Sequence, residues 1–267
     1  MPNSLREVWQ RSAPNIGGWC TVPSAFSAEL MGRAGYDWVC IDTQHGLIGP
    51  DQMATMLATV SIVGTPAFVR VTWNEPDHIM KALDAGAQGI IVPKVSSADD
   101  ARRAVGWAKY PPLGIRSWGP IRASLGVENY TAEKANRNTL VIPMIETAGA
   151  MENLEEIVSV DGVDGVYVGP ADLALSHGIA PTLNVTDAKH EEMILRISAA
   201  CQRHGVVPGI HCDSVQTVRR GRDHGYKMFT VTSDAAFIRS SAGDIIADFF
   251  TDDPTNVVGT STTGAYA

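Results

Sequence analysis

No apolar run in this 267-residue chain approaches the roughly 18 residues that a membrane-crossing helix needs. The opening stretch MPNSLREVWQRSAPN lacks the apolar core of a secretory signal, so a cytoplasmic protein is expected. Basic charge is in short supply. Against 29 Asp and Glu stand 21 Lys and Arg, a formal charge of −8, and no basic block interrupts the chain. Nucleic acid is bound through clustered Lys and Arg, so neither it nor a membrane surface is the expected partner. Cysteine is sparse as well: Cys20, Cys40, Cys201 and Cys212 form no C-x-x-C pair, and a core of this size does not need disulfide staples. No P-loop and no G-x-S-x-G element occurs, and His190-Glu191 is followed by Ile194 where a zinc-protease helix needs His. With 45% hydrophobic and 19% charged residues, the chain can bury one large core.

That core has a rhythm. Short apolar runs predict strands at 16–22, 38–43, 67–72, 89–95, 140–147, 165–169, 207–212 and 227–232, with helices over 24–35, 50–64, 75–87, 97–110, 148–161, 186–205, 214–225 and 235–250. Runs such as VCID, GIIVP and LVIPMI are apolar without alternation, as strands of a parallel sheet buried on both faces are. Three helices end alike, in GRAGYDW, DAGAQGI and RDHGYKM, where Gly suits the left-handed residue that stops a helix. Eight strand–helix units of about 30 residues predict a closed (β/α)8 TIM barrel. An open doubly wound sheet is disfavoured because no G-x-G-x-x-G follows the first strand. The domain expectation is one catalytic barrel over 1–250 and a polar tail over 251–267. Segment 111–137, rich in Gly, Pro and aromatics (PPLGIRSWGP), breaks the spacing and reads as a functional loop or lid.

Catalytic residues of a barrel cluster at the C-terminal ends of its strands, so polar residues there carry the chemistry. Asp42 and His45 end the second run within DTQHG, where a carboxylate can orient and charge an imidazole, although a plain turn also uses Asp and Gly. Arg70 inside FVRV is costly unless it meets a carboxylate or an anionic ligand. Glu146 follows VIPMI and Asp172 follows VYVGPA, on neighbouring strands. Two carboxylates with open remaining positions suit Mg²⁺ or Mn²⁺; they serve equally as an acid and a base, or as first-turn residues of the next helices. The turn around Gly169, Ala171 and Asp172 offers backbone N–H groups to an anion. Lys94, ending IIVPKV, is expected in solvent, with a Schiff base as the alternative. His211 is a secondary candidate, while His177, His190, His204 and His224 are expected to face solvent. Trp19 and Trp118 are candidate pocket walls, with core or subunit packing as the equal alternative.

In order, IDTQHG, FVRV, PMIET and VGPADL resemble the HpcH/HpaI family of class II (metal-dependent) pyruvate aldolases over roughly residues 15 to 250, a framework shared by its macrophomate synthase branch. The resemblance implies a TIM barrel and a carbon–carbon lyase. The implied reaction is reversible cleavage of 4-hydroxy-2-oxo acids, such as 4-hydroxy-2-oxoheptanedioate, to pyruvate and an aldehyde through a metal-bound pyruvate enolate, in the catabolism of aromatic compounds. It implies that Glu146 and Asp172 hold Mg²⁺ or Mn²⁺, with Co²⁺ or Zn²⁺ as further options. Arg70 would meet the substrate's C2 oxygen, and His45, oriented by Asp42, would handle the proton of the C4 hydroxyl. Gly169, Ala171 and Asp172 would receive the carboxylate beside Trp19. A homo-oligomer is also implied, a hexamer built as a trimer of dimers with the last helix exchanged. Met144 stands where some relatives have Gln, and Gln44 where close relatives often have Glu, departures that bear on aldehyde preference. Rival readings are an oxaloacetate decarboxylase on the same site, a Schiff-base aldolase on Lys94, and, from another class, a non-catalytic barrel that binds 2-oxo acids.

Overall fold

The computed structural model describes residues 4–11 and 13–251. Its strands are β1 (Asn15–Cys20), β2 (Trp38–Asp42), β3 (Ala67–Arg70), β4 (Gly89–Val92), β5 (Leu140–Ile145), β6 (Gly165–Val168), β7 (Val207–Cys212) and β8 (Met228–Val231). All pair in parallel and close in sequence order, with Asn15, Ile16 and Gly17 opposite Met228, Phe229 and Thr230 at the seam. The helices are α1 (Leu5–Gln10), α2 (Ala25–Arg33), α3 (Pro50–Val63), α4 (Pro76–Asp84), α5 (Ala98–Ala108), α6 (Ala132–Asn138), α7 (Ala148–Glu152), α8 (Leu154–Val158), α9 (Pro170–Ser176), α10 (Ala188–His204), α11 (Val215–Asp223) and α12 (Asp234–Thr251). This is the expected (β/α)8 TIM barrel, and each predicted strand is present close to its predicted bounds. Beyond Thr251, the tail expected over 251–267 lies outside the described residues.

Both faces of the sheet are apolar, which is why its runs do not alternate. On β2, Trp38 and Cys40 pack inside the barrel while Val39 and Ile41 meet the helices; on β5, Leu140, Ile142 and Met144 face in and Val141 and Ile145 face out. Large rings fill the interior against glycine: a Cβ on Gly17 would stand 2.4 Å from the Trp38 ring, and one on Gly89 2.5 Å from Phe68. The three helix-ending glycines, Gly35, Gly86 and Gly225, all take the expected positive φ.

Several elements differ from expectation. Helix α1 is stopped at its start by a capping box, Ser4 and Glu7 exchanging side chain and backbone, and brings Leu5 and Val8 into the inner cluster. The single helix expected over 148–161 is split at Asn153, whose Nδ2 donates to the carbonyls of Gly149 and Ser96, both at 3.0 Å, in competition with the helix backbone. Segment 111–137 is no lid over the mouth within this chain. It leaves a helix and enters a strand, which places it at the N-terminal end of the barrel. There Arg116 pairs with Asp84 at 2.6 Å and Arg122 donates to the Ala85 carbonyl at 2.9 Å. Trp118 packs with Tyr130 of that segment and with Tyr110 just before it, not in the pocket. Helix α12 is anchored at its start, where the buried Asp234 carboxylate accepts the Thr21 N–H and the Ser27 hydroxyl, each at 2.7 Å. Further along, its apolar residues stand in the open, Ile245 68% and Phe249 74% exposed. All four cysteines are free and buried, and no helix among the described residues is long and apolar enough to cross a membrane.

Candidate active site

The inward-facing parity of each strand continues past its apolar part to the C-terminal end, where the same face turns polar. Trp19 ends β1 on that face, Asp42 ends β2, Arg70 ends β3, and Glu146 stands two residues beyond Met144. Together with His45, Gly169, Ala171, Asp172 and His211 they line one cavity of about 480 Å³. Every site residue expected from the motifs is therefore drawn to a single mouth. Trp118 is the one candidate wall that is not.

Asp42 organises one side. Its carboxylate is 1% exposed and accepts Arg70 Nε at 2.9 Å and Arg70 Nη2 at 2.6 Å, a two-pronged pairing. It also accepts Trp19 Nε1 at 3.2 Å and the backbone N–H groups of Gln44 at 3.0 Å and His45 at 3.3 Å. Burial alone would raise its pKa, but the charge and hydrogen bonds of Arg70 outweigh that and hold the carboxyl below the ordinary value. The guanidinium lies 4.9 Å from the centre of the Trp19 ring, so packing as well as charge fixes it. Asp42 thus pins both the guanidinium and the turn that carries His45. The His45 ring stands at the exposed mouth. Partial burial and the nearby Arg70 charge keep its pKa below the ordinary histidine value, so it is neutral at pH 7.

Glu146 and Asp172 form the other side. The Glu146 side chain is 1% exposed and that of Asp172 30%, the latter in the first turn of α9. Burial, the leading cause, raises the Glu146 pKa, and the Asp172 charge adds to it against the opposing pull of Lys94. Lys94 is not in solvent as expected. Its ammonium contacts Asp172 Oδ1 and lies 4.0 Å from Glu146 Oε1, while its backbone N–H donates to Glu146 Oε1 at 2.9 Å. Two hard oxygen donors converging on a cationic centre are a donor set that fits a divalent ion, with the remaining positions left to substrate oxygens and water. Among the described residues no cluster of three or more His, Cys, Asp or Glu forms a larger cage.

The sequence reading missed Tyr167 and Thr230 of the inner wall. Tyr167 stacks on Trp19, and its hydroxyl is shared with Thr230 and with His211 Nδ1, the latter at 3.1 Å. Burial, followed by the Arg70 charge, pushes His211 down to about 4, so this imidazole is neutral across the working range. His211 was already a secondary candidate; strand parity could have found Tyr167 and Thr230 too, since each stands two residues beyond an inward position. His190, expected in solvent, is fully buried: it lies one turn before Ile194, on the face that α10 turns to the core.

The chain is similar to known proteins over most of its length. The model of the family described as HpcH/HpaI aldolase/citrate lyase matches residues 15–240. A hydroxypyruvate/pyruvate aldolase of Rhizorhabdus wittichii is 38% identical over 92% of this chain and 98% of its own length. A 4-hydroxy-2-oxo-heptane-1,7-dioate aldolase of Escherichia coli is 36% identical over 93% and 95%. Among solved structures, an HpcH/HpaI aldolase/citrate lyase family protein from Burkholderia cenocepacia superposes with a TM-score of 0.85 at 30% identity, covering 92% of this chain and 98% of that one.

Proposed function

The chain belongs to the HpcH/HpaI aldolase/citrate lyase family and is a carbon–carbon lyase, and from that premise we propose that it cleaves 4-hydroxy-2-oxo acids reversibly to pyruvate and an aldehyde with the help of a divalent metal. The observation that carries the reading is the convergence, in one cavity, of a locked guanidinium and a pair of carboxylates clasping a cation.

Glu146 and Asp172 are the residues that would hold Mg²⁺ or Mn²⁺, and the ion, when bound, supplies Lewis-acid polarisation of the 2-oxo group. The rest falls to the chain's own side chains. Breaking C3–C4 sends an electron pair into C2–C3 and leaves negative charge on the C2 oxygen. Arg70 has five N–H donors, of which Asp42 takes two, so donors remain for that oxygen with no reorientation needed. His45, neutral and at the mouth, takes the C4 hydroxyl proton as the C4 carbonyl forms. The N–H groups of Ala171 and Asp172, in the first turn of α9, have no acceptor within the helix and suit the substrate carboxylate. Trp19 and Tyr167 wall the cavity and keep water from the enolate.

One relative is named for hydroxypyruvate and pyruvate and the other for a 4-hydroxy-2-oxo acid, so hydroxypyruvate stands beside pyruvate as a candidate for the compound that forms the enolate. The reading includes a homo-oligomer. The apolar residues of α12, with Leu113, Ile121 and Leu125 of segment 111–137 at 63%, 86% and 70% exposure, support contact with further copies, and a hexamer with α12 exchanged is the form proposed. The test is pyruvate release from 4-hydroxy-2-oxoheptanedioate and shorter 4-hydroxy-2-oxo acids, with EDTA and after Mn²⁺ or Mg²⁺ is returned. Release that stops on chelation and resumes with metal is expected. Consumption of oxaloacetate with no release from any hydroxy-oxo acid would replace the reading with decarboxylation.

A further inference from the structure

The geometry points to Lys94 as a tethered cation that holds the Glu146–Asp172 pair in the metal-free protein and is exchanged for the divalent ion on loading. The inference rests on the metal reading above. It starts from what Lys94 gives up to reach the pair. Its φ is +56°, a left-handed conformation that a lysine rarely adopts and that a glycine or asparagine fills more easily. That turn brings the backbone N–H to Glu146 Oε1 at 2.9 Å and the ammonium to Asp172 Oδ1, with the second carboxylate 4.0 Å away. One side chain thus bridges two carboxylates through its charge and secures the more buried of them through its backbone.

A buried carboxylate without a counter-charge is strongly disfavoured, and Glu146 is 1% exposed, so the metal-free site needs a cation of its own. The ammonium and a divalent ion cannot both stand between the same oxygens. Loading therefore displaces Nζ, whose long stem, with the side chain 29% exposed, can swing toward the mouth while the backbone N–H keeps its hold on Glu146. The consequence is competition. If the ammonium holds the pair about nine-tenths of the time, the apparent metal affinity is lowered about tenfold. The same residue keeps the metal-free site folded and raises the metal concentration needed to fill it.

The experiment uses the full-length, metal-stripped protein with Mn²⁺ alone and no substrate. Lys94→Met removes the charge; Lys94→Asn removes it while easing the left-handed turn. Mn²⁺ titration followed by calorimetry is expected to show roughly tenfold tighter binding in both variants. Their melting temperature in EDTA should fall, and Mn²⁺ should restore it. In the wild-type protein, acetylation of Lys94 by a water-soluble acylating reagent, read by peptide mass spectrometry, should rise several-fold once Mn²⁺ saturates the site. Mn²⁺ affinity that is unchanged or weaker in both variants, or labelling that Mn²⁺ does not alter, overturns the exchange and leaves the proposed reaction standing. Absence of Mn²⁺ binding in wild type and variants alike overturns the metal reading as well.

Discussion

Replacing Arg70 by Lys separates two jobs that the guanidinium performs at once. In the native site Arg70 spends Nε and Nη2 on Asp42, at 2.9 and 2.6 Å, and lies along Trp19 with donors to spare. A lysine keeps the positive charge, and its single ammonium can neutralise Asp42. It cannot form the fork and also present a donor to the C2 oxygen. Loss of one aimed donor from a developing oxyanion costs about 10²–10³ in kcat, or roughly 3–4 kcal/mol. The stability cost is smaller, about 1.5–3 kcal/mol for the missing charge-assisted bond. Alanine would be a poorer choice: Asp42, 1% exposed, would be left as a buried unpaired charge at about 3–5 kcal/mol, a large share of the roughly 5–15 kcal/mol that keeps a domain folded. The assay couples pyruvate release to lactate dehydrogenase, with a thermal melt on the same preparation. The expected outcome is a kcat reduced at least a hundredfold, a KM changed far less, and a folded protein at the assay temperature. A folded Arg70→Lys protein turning over within a few-fold of wild type would refute the assignment of Arg70 to the C2 oxygen.

His45 titrates below the ordinary histidine value, so kcat/KM should rise with pH through an apparent pKa below about 6.5 and then level off. His45→Asn should lower the plateau by about 10²–10⁴ and erase that rise; a profile of the same shape would show that another group is the base. Gly169→Ala tests the cradle around Glu146. The new Cβ would stand 2.6 Å from Glu146 Oε2, so Mn²⁺ affinity and turnover should both drop in a protein whose melting temperature moves by only a few degrees, whereas native Mn²⁺ affinity would mean that the carboxylate is not held there. His211 makes a prediction about acid stability. Its pKa is about 4 folded against about 6.5 unfolded, so the unfolded chain binds the extra proton between those values and stability falls as pH drops through that window. The full difference is about 3 kcal/mol, complete near pH 4 and absent above about pH 6.5. Urea melts at pH 7 and pH 4.5 should show a smaller loss in His211→Phe than in wild type, and equal losses would mean that His211 is protonated in the folded protein.

How far the sequence reaches into this molecule depends on whether a feature is local. The eight strands were legible because each is a short apolar run, most of them closed by a glycine or a charge, and parallel strands need no other signal. The missed α1 carried a readable mark, Ser4 with Glu7 three residues on. The break at Asn153 carried none, since one of its acceptors is the carbonyl of Ser96, which lies 57 positions away in the chain. That segment 111–137 is no lid over the mouth within this chain has a topological reason that was open to view: a connection from helix to strand comes out at the end of the barrel opposite the catalytic mouth.

The same division runs through the site. Asp42, Arg70 and Glu146 were found as charges at strand ends, and each continues its strand's inward parity, so a period of two places them at the mouth. Lys94 shows where that rule stops. On β4 the inward residue is Ile91, so parity makes 93 inward and sends the side chain of 94 out toward the helices. The left-handed backbone at Lys94 cancels the alternation and swings the ammonium back over the barrel, onto two carboxylates that arrive from β5 and from the turn after β6. Nothing within a few residues of Lys94 specifies that turn. The carboxylates do, since Glu146 accepts the Lys94 N–H and, with Asp172, draws in its charge, so the conformation of this residue is a property of the assembled mouth and not of the strand that carries it.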